Sequence, residues 1–338
     1  MILYVGNFLS KHGYTPTSNE ALVPLLKKNY IVFSTSSKRS IILRLLSMVG
    51  TFFLKRKKVK VVIIDFYSKK GFWYGFIISQ LCIRYGIKFI PVIHGGDFEK
   101  RLLNSKKTCA AIFSRAFRII SPSMYMKVVF ADNGYECTYI PNFLNIERYT
   151  FHERKKIDPN ILWVRSFHQI YNPELAIDVM NLFLKKYPKA QLCMVGPDKD
   201  GYLAKSIERA EKYAIQDQIT FTGKLTKKDW IELSKNYDVF INTTRIDNHP
   251  VSLVEAMALG LVVISTSVGG IPYLIENGKD GFLVSQNAEE FVEQIDYLIK
   301  HPQEGLIVAQ NARKKVEEFD WENVKQSWFT LIEEARNS

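Results

Sequence analysis

The stretch Asn242-Thr-Thr-Arg-Ile-Asp-Asn-His-Pro-Val-Ser-Leu-Val-Glu-Ala-Met-Ala-Leu-Gly260 holds the densest set of groups able to bind a polar ligand. A buried strand is expected to end at Asn242 and a polar loop to follow. Pro250 stands where a first helical position belongs, and Gly260 stops the helix. In an open α/β sheet such a turn lies at the carboxyl edge, where ligands bind. The free N–H groups of Val251 and Ser252 then point into a crevice and favour an anion such as a diphosphate. Asp247 falls in the loop and Glu255 more than a turn into the helix. Both could face one ligand, and a carboxylate is the natural acceptor for paired sugar or ribose hydroxyls. In the competing arrangement Asp247 and Asn248 cap the helix and Glu255 is exposed.

Three further segments carry candidate chemistry. In Val268–Val284, Gly269-Gly270 allows close backbone approach to a ligand, while Gly278 and Gly281 are turn residues. In Lys88–Asp97, His94 ends a buried strand and is followed by Gly95 and Gly96, a position that faces the same kind of crevice. Asp198-Lys-Asp200 has the Asp-x-Asp form of a metal-diphosphate ligand, yet it follows a strand and precedes Gly201, so a turn accounts for it. No His-x3-His, His-Glu-x2-His or Cys-x-x-Cys spacing marks a zinc site, and the expectation is no metal and no cofactor.

These residues must be held by alternating short apolar runs and amphipathic helices, the pattern of βα units around parallel sheets. Strands are expected at Ile2–Val5, Ile31–Ser34, Val61–Asp65, Lys88–Ile93, Arg118–Ser121 and Thr138–Ile140 in the first half. In the second half they are expected at Ile161–Val164, Gln191–Val195, Ile219–Thr222, Val239–Asn242 and Leu261–Ser265. Helical patterns cover Pro173–Lys186, Leu203–Tyr213 and Ala288–Lys300. A last one, Trp321–Ala335, puts Trp321, Val324, Trp328, Leu331 and Ile332 on one face that must dock. A polar, charged stretch around Asn145–Pro159 sets the domain boundary, giving 1–150 plus 321–338 and 151–320.

The chain has 338 residues, of which 47% are hydrophobic and 24% charged, enough for two cores. Residues 1–150 hold 23 of the 46 Lys/Arg but only 7 of the 34 Asp/Glu, a net +16 against −4 in the remainder. The first half is therefore expected to meet an anionic surface or ligand, unless the charge only solvates that face. Without a recognition helix or exposed aromatic sheet motif, nucleic acid is not the expected partner. Met1–Gly6 reads as a first strand and not a signal peptide, and the four dispersed cysteines fit a reduced, cytoplasmic protein. Residues 40–54 place Ser40, Arg44, Ser47 and Thr51 on one helical stripe among apolar residues, just before Lys55-Arg-Lys-Lys58. The run is too short to span a bilayer. It reads either as an interfacial helix with a basic collar or as a crossover helix packed on the first sheet.

Together, the Asn242–Gly260 and Val268–Val284 segments resemble glycosyltransferase family 4, retaining enzymes of the GT-B fold. The resemblance rests on the Glu-Ala-Met-Ala helix, the Gly-Gly-Ile-Pro turn and the Gly-x2-Gly-Phe-Leu-Val strand. It covers essentially the whole chain, most strongly from Asp238 to Val284. It implies two Rossmann-like domains whose parallel sheets face across a cleft, the first binding acceptor and the second donor, with the C-terminal helix crossing back to the first. It implies a nucleotide-diphosphate sugar as co-substrate and a glycan or lipid-linked acceptor, with Glu255 on the donor's ribose and Asp247 near the transferred sugar. Asn248, His249, Pro250, Val251 and Ser252 would then lie beside the diphosphate. Here the family's first glutamate is an aspartate, one methylene shorter. Arg165 fits the arginine that grips the diphosphate. The lysine that follows it is missing, with Ile170 and Tyr171 near its place, so Lys224 is the candidate substitute. Gly196 resembles the glycine turn near the nucleotide base, and His94 the histidine beside the sugar. Gly6, Asn7 and Gly13 resemble the acceptor-side glycine loop, and Pro141-Asn142 the Pro-Asn-Gly turn with Phe143 in place of glycine. Activity in polysaccharide or glycoconjugate synthesis at the inner face of the membrane would follow. A nucleotide-sugar epimerase of the same fold, or a non-catalytic binding module, are the alternatives.

Overall fold

A computed structural model describes residues 1–13, 17–95 and 98–338 and divides the chain into two compact units. Met1–Phe143 and Glu322–Ser338 form the first, Leu144–Trp321 the second. The division falls ahead of residue 150 for a physical reason. Leu144 donates its N–H to the Phe319 carbonyl at 2.8 Å, and Tyr149 is buried in the second unit's core.

The first unit's described strands are β1 (Ile2–Val5), β2 (Val32–Thr35), β3 (Val61–Tyr67), β4 (Lys88–His94), β5 (Ile119–Ser121) and β6 (Cys137–Tyr139). They form one parallel sheet in the order β2-β1-β3-β4-β5-β6. The second unit has β7 (Asn160–Val164), β8 (Gln191–Val195), β9 (Ile219–Gly223), β10 (Val239–Asn242), β11 (Val262–Thr266) and β12 (Phe282–Val284). Its parallel order is β12-β11-β10-β7-β8-β9. The α/β reading with two Rossmann-like domains holds. Strands buried on both faces read as unbroken apolar runs, as Val61-Val-Ile-Ile64 does in β3. The apolar-run reading lacks β12, whose three residues between Gly281 and a polar turn are too short a signal.

Each order reverses direction once, between β1 and β3 in the first sheet and between β7 and β10 in the second. Loops at the carboxyl ends of such neighbours diverge, leaving a crevice. The terminal helix Trp321–Asn337 buries Val324, Trp328, Leu331, Ile332 and Ala335, and from Glu322 onward it belongs to the first unit.

The Ile41–Lys55 helix links β2 to β3 and leaves both readings of residues 40–54 standing. Its polar stripe faces inward. Thr51 Oγ1 and Ser47 Oγ each lie 3.5 Å from Thr35 Oγ1, and Arg44 donates to Asn7 Oδ1 at 2.9 Å. Its only buried residues are Met48 and Phe52, while Ile42 is 71% and Leu54 82% exposed. Among the described residues no helix is long and apolar enough to cross a membrane.

Candidate functional site

In the second unit, β7 ends at Val164 and hands Arg165 to the reversal point. The guanidinium forms an ion pair with Asp247, in the loop after β10, and lies 4.7 Å above the Tyr171 ring. Tyr171 thus supplies a ring face to the guanidinium, and a cation over an aromatic face is held without being neutralised. Arg165 Nε is buried and has no hydrogen-bond partner among the described residues. Gly196 makes room for this arginine's backbone, because a Cβ there would fall 1.7 Å from the Arg165 carbonyl oxygen.

The loop carrying Asp247 is tightly tied. Thr243 Oγ1 donates toward the Tyr171 and Asn172 carbonyls, and Thr244 Oγ1 lies 3.1 Å from the Ile170 carbonyl. Gly269 and Gly270 let another backbone come close, a need distinct from the ligand approach expected of them. Cβ atoms on them would meet the Asp247 carbonyl at 2.4 Å and the Asn248 carbonyl at 2.1 Å. The pair is needed for one backbone to cross another, and Gly270 N–H donates to the Asp247 carbonyl at 2.8 Å. Asp247 Oδ1 accepts from His249 N–H at 3.1 Å. Burial, opposed by the Asp247 charge, pushes the His249 imidazole down to about 4, so it stays neutral near pH 7.

Pro250 is the N-cap of the Val251–Ala258 helix, one position ahead of its expected place, because its carbonyl already accepts from Leu253 and Val254 N–H. Val251 is exposed, and the Ser252 hydroxyl is buried without a partner among the described residues. Glu255 is buried, which excludes the exposed alternative. Its Oε1 accepts from the Tyr149 hydroxyl at 2.8 Å and from Lys227. Burial and then the Glu255 carboxylate push the Tyr149 phenol far above its ordinary range, keeping it a donor. Lys224, the expected substitute cation, is exposed at the end of β9, and the lysine that reaches the site's carboxylate is Lys227. Asp198 Oδ1 accepts from Leu203 N–H at a helix start, and Asp200 pairs with His168 at 3.1 Å. Among the described residues no group of three or more His, Cys, Asp or Glu is placed to hold a metal ion.

The first unit builds a second strand-end cluster. His94 ends β4, with Nε2 3.0 Å from Oδ1 of Asp65 in β3. Gly6 follows β1, and a Cβ there would lie 2.2 Å from Asp65 Oδ2, so this glycine admits the buried carboxylate. Asn7 accepts from Arg44 and, through its carbonyl, from Thr17. Gly13 lies outside the cluster, where its positive φ of 83° closes the Ser10–His12 turn. Gly95 also has a positive φ, of 101°. Gly96 and Asp97 lie outside the described residues. His94, Pro141, Asn142 and Phe143 line one pocket with Tyr4 and Asn19.

The family model described as "Glycosyl transferases group 1" matches residues 146–315, just over half of the chain. The chain belongs to this glycosyltransferase family. Its matched segment begins three residues before Tyr149 and contains Arg165, Gly196, Lys227, Asp247, Ser252 and Glu255. A putative colanic acid biosynthesis glycosyltransferase, WcaL of Salmonella typhimurium, is 39% identical over 83 residues, 23% of this chain and 20% of that protein. Spore coat protein SA of Bacillus subtilis is 25% identical over 143 residues, 40% of this chain and 38% of that protein. The matched stretches thus span well under half of either relative. Anabaena HepE, solved in complex with UDP and glucose, superposes with a TM-score of 0.78 at 17% identity, over 98% of this chain and 99% of that one. Sucrose-phosphate synthase from Thermosynechococcus elongatus gives 0.80 at 17% identity, over 98% of both chains. At such identity the likeness establishes the fold.

Sequence reasoning missed four residues of these clusters. Asp65 could have been found as the one charge inside an apolar strand, and Asn19 has no local signal at all. Tyr149 lay in the presumed linker, and Lys227 three positions past the lysine chosen.

Proposed function

We propose that this chain is a glycosyltransferase whose second unit binds a nucleoside-diphosphate sugar and whose first unit binds the acceptor. The observation that carries the reading is that Arg165 Nε, just past β7, and Ser252 Oγ, in the first turn of the helix after β10, are both buried without a partner among the described residues. β7 and β10 are the strands at which the second sheet's order reverses. Buried polar atoms without partners are rare and costly, and together a guanidinium, a hydroxyl and free helix N–H groups suit a diphosphate. Glu255 would take the ribose hydroxyls and Asp247 the transferred sugar. The acceptor is a glycan or lipid-linked hydroxyl in polysaccharide or glycoconjugate synthesis.

The reaction we assign is retaining. The acceptor oxygen forms its bond to the anomeric carbon on the face from which the diphosphate oxygen departs, and that oxygen takes the hydroxyl proton. The protein's part is positioning and charge stabilisation, with no covalent nucleophile. Isothermal calorimetry with nucleoside diphosphates, followed by a donor panel headed by UDP-sugars, tests this reading. Binding of a diphosphate lost in Arg165→Ala supports it, and no binding by the intact chain sinks it. Excess EDTA should leave transfer intact, and activity restored only by manganese would overturn the metal-free assignment.

The partner of the first unit's basic face is an anionic membrane surface. The outward apolar residues of the Ile41–Lys55 helix, followed by Arg56, Lys57 and Lys58, favour it. Sedimentation with phosphatidylglycerol vesicles is the measurement. Binding should weaken with salt, since surface charges are screened beyond about 8 Å at physiological ionic strength. Protein left in the supernatant at low salt refutes this partner.

A further inference from the structure

The first unit's strand-end cluster contains a carboxylate with no surface of its own. Asp65 is fully buried, and its oxygens are engaged by three side chains. Oδ1 accepts from the Tyr4 hydroxyl at 2.9 Å and lies 3.0 Å from His94 Nε2, while Oδ2 accepts from Asn19 Nδ2 at 2.6 Å. Burial, and then the Asp65 charge, push the Tyr4 phenol well above its usual range, so Tyr4 remains a donor. Facing an acceptor at Nε2, a neutral imidazole carries its proton there and its lone pair on Nδ1. The ring's plane is set as well, because it stacks on Tyr67 with centroids 5.4 Å apart and 27° between planes. Among the described residues no group bonds Nδ1.

The surroundings indicate what that lone pair can meet. His94 lines a pocket whose other walls are neutral, with Ser18, Asn19 and Asn142 polar and Leu22, Phe143 and Trp328 apolar. Among the described residues no Lys, Arg or exposed carboxylate lines it, so it suits a neutral O–H donor with apolar C–H faces better than a phosphate. We propose that Asp65 is a positioning residue that locks His94 in the Nε2–H tautomer, so that Nδ1 accepts a hydrogen bond from a sugar hydroxyl. The assignment of the hydroxyl rests on the glycosyl-transfer reading above, whereas the tautomer does not. The same geometry gives Gly6 its purpose, since a Cβ there would collide with both Asp65 Oδ2 and Asn19 Nδ2.

Two measurements on the full chain test the proposal. Long-range 1H–15N spectra of 15N-histidine protein in mildly alkaline buffer read the tautomer directly, with His94→Gln identifying the resonance. A protonated Nε2 and bare Nδ1 are expected, and the reverse overturns the proposal. Kinetically, Asp65→Asn should lower kcat at least about tenfold to hundredfold, the range for removing a carboxylate that orients a metal-bound histidine. It should cost nothing further in a His94→Ala background, since Asp65 acts through that ring. Losses that multiply in the double variant would show that Asp65 merely plugs the core. If Asp65→Asn does not fold, the wild-type spectrum alone decides between the two tautomers. If the wild-type chain transfers no sugar from any donor, the function reading fails while the spectrum still tests the tautomer.

Discussion

The two units place their clusters at the same topological position and fill it with opposite chemistry. At the β7/β10 reversal stand Arg165, Asp247, Glu255 and Lys227, charges paired with one another around a helix N-terminus. At the β1/β3 reversal a single buried carboxylate, Asp65, is surrounded by Tyr4, Asn19 and His94, and the adjoining pocket is neutral. The fold thus supplies the location, and the residues after each strand supply the chemistry. Glycine has the same office in both, since Gly6 and Gly196 each clear space for the group that defines the cluster.

The contrast can be broken most severely at Gly196. With a Cβ 1.7 Å from the Arg165 carbonyl, Gly196→Ala must displace the arginine's backbone. We expect loss of measurable nucleoside diphosphate binding by calorimetry and roughly 1–3 kcal/mol of destabilisation in urea. Next comes Arg165→Ala, expected to weaken diphosphate binding about ten- to a hundredfold, or ~1.5–3 kcal/mol, with an unchanged circular dichroism spectrum. Unchanged affinity would assign the phosphates to another cation.

The carboxylates of the charged cluster should separate by kinetics. Asp247→Asn should depress kcat while barely changing affinity for the free nucleotide, since charge develops on the sugar only during transfer. Glu255→Gln should weaken the nucleotide itself and reduce discrimination between ribo- and deoxyribonucleotides. Full turnover in Asp247→Asn would leave that residue a helix cap.

His249 sharpens the comparison through pH. Its folded value of about 4 lies below the ordinary 6.5, so the unfolded chain binds its proton first as pH falls. Stability from this group is complete above pH 6.5 and declines toward pH 4, by about 2 kcal/mol at pH 5. His249→Gln should flatten that part of the urea-midpoint profile, and an unaltered slope would assign the loss elsewhere. The smallest effect belongs to Tyr149→Phe, which removes one hydrogen bond to Glu255. Nucleotide affinity should fall about threefold to tenfold, with the ~0.5–1.5 kcal/mol typical of such a bond.

The strand ends, the helix after Pro250, and the places of Asp247, Glu255 and His94 at or past strand ends were legible in the chain because they obey local rules, whereas Arg165 was marked out by the family resemblance. Apolar runs mark parallel strands, Pro and Gly punctuate helices, and polar residues just past a strand sit at the carboxyl edge. Only the tertiary structure decided who meets whom. Tyr149 reaches Glu255 across 106 residues and Asn19 reaches Asp65 across 46, separations at which the sequence carries no register. It also decided what Gly269 and Gly270 are for, since a glycine in sequence does not say whether a ligand or another backbone comes close. Helical periodicity gave the Ile41–Lys55 helix two faces but not their direction. Arg44 bonded to Asn7, with Ser47 and Thr51 facing Thr35, turns the polar stripe inward and leaves the apolar side outward. Local spacing determines which side chains share a face, and only long-range hydrogen bonding and burial determine what that face confronts.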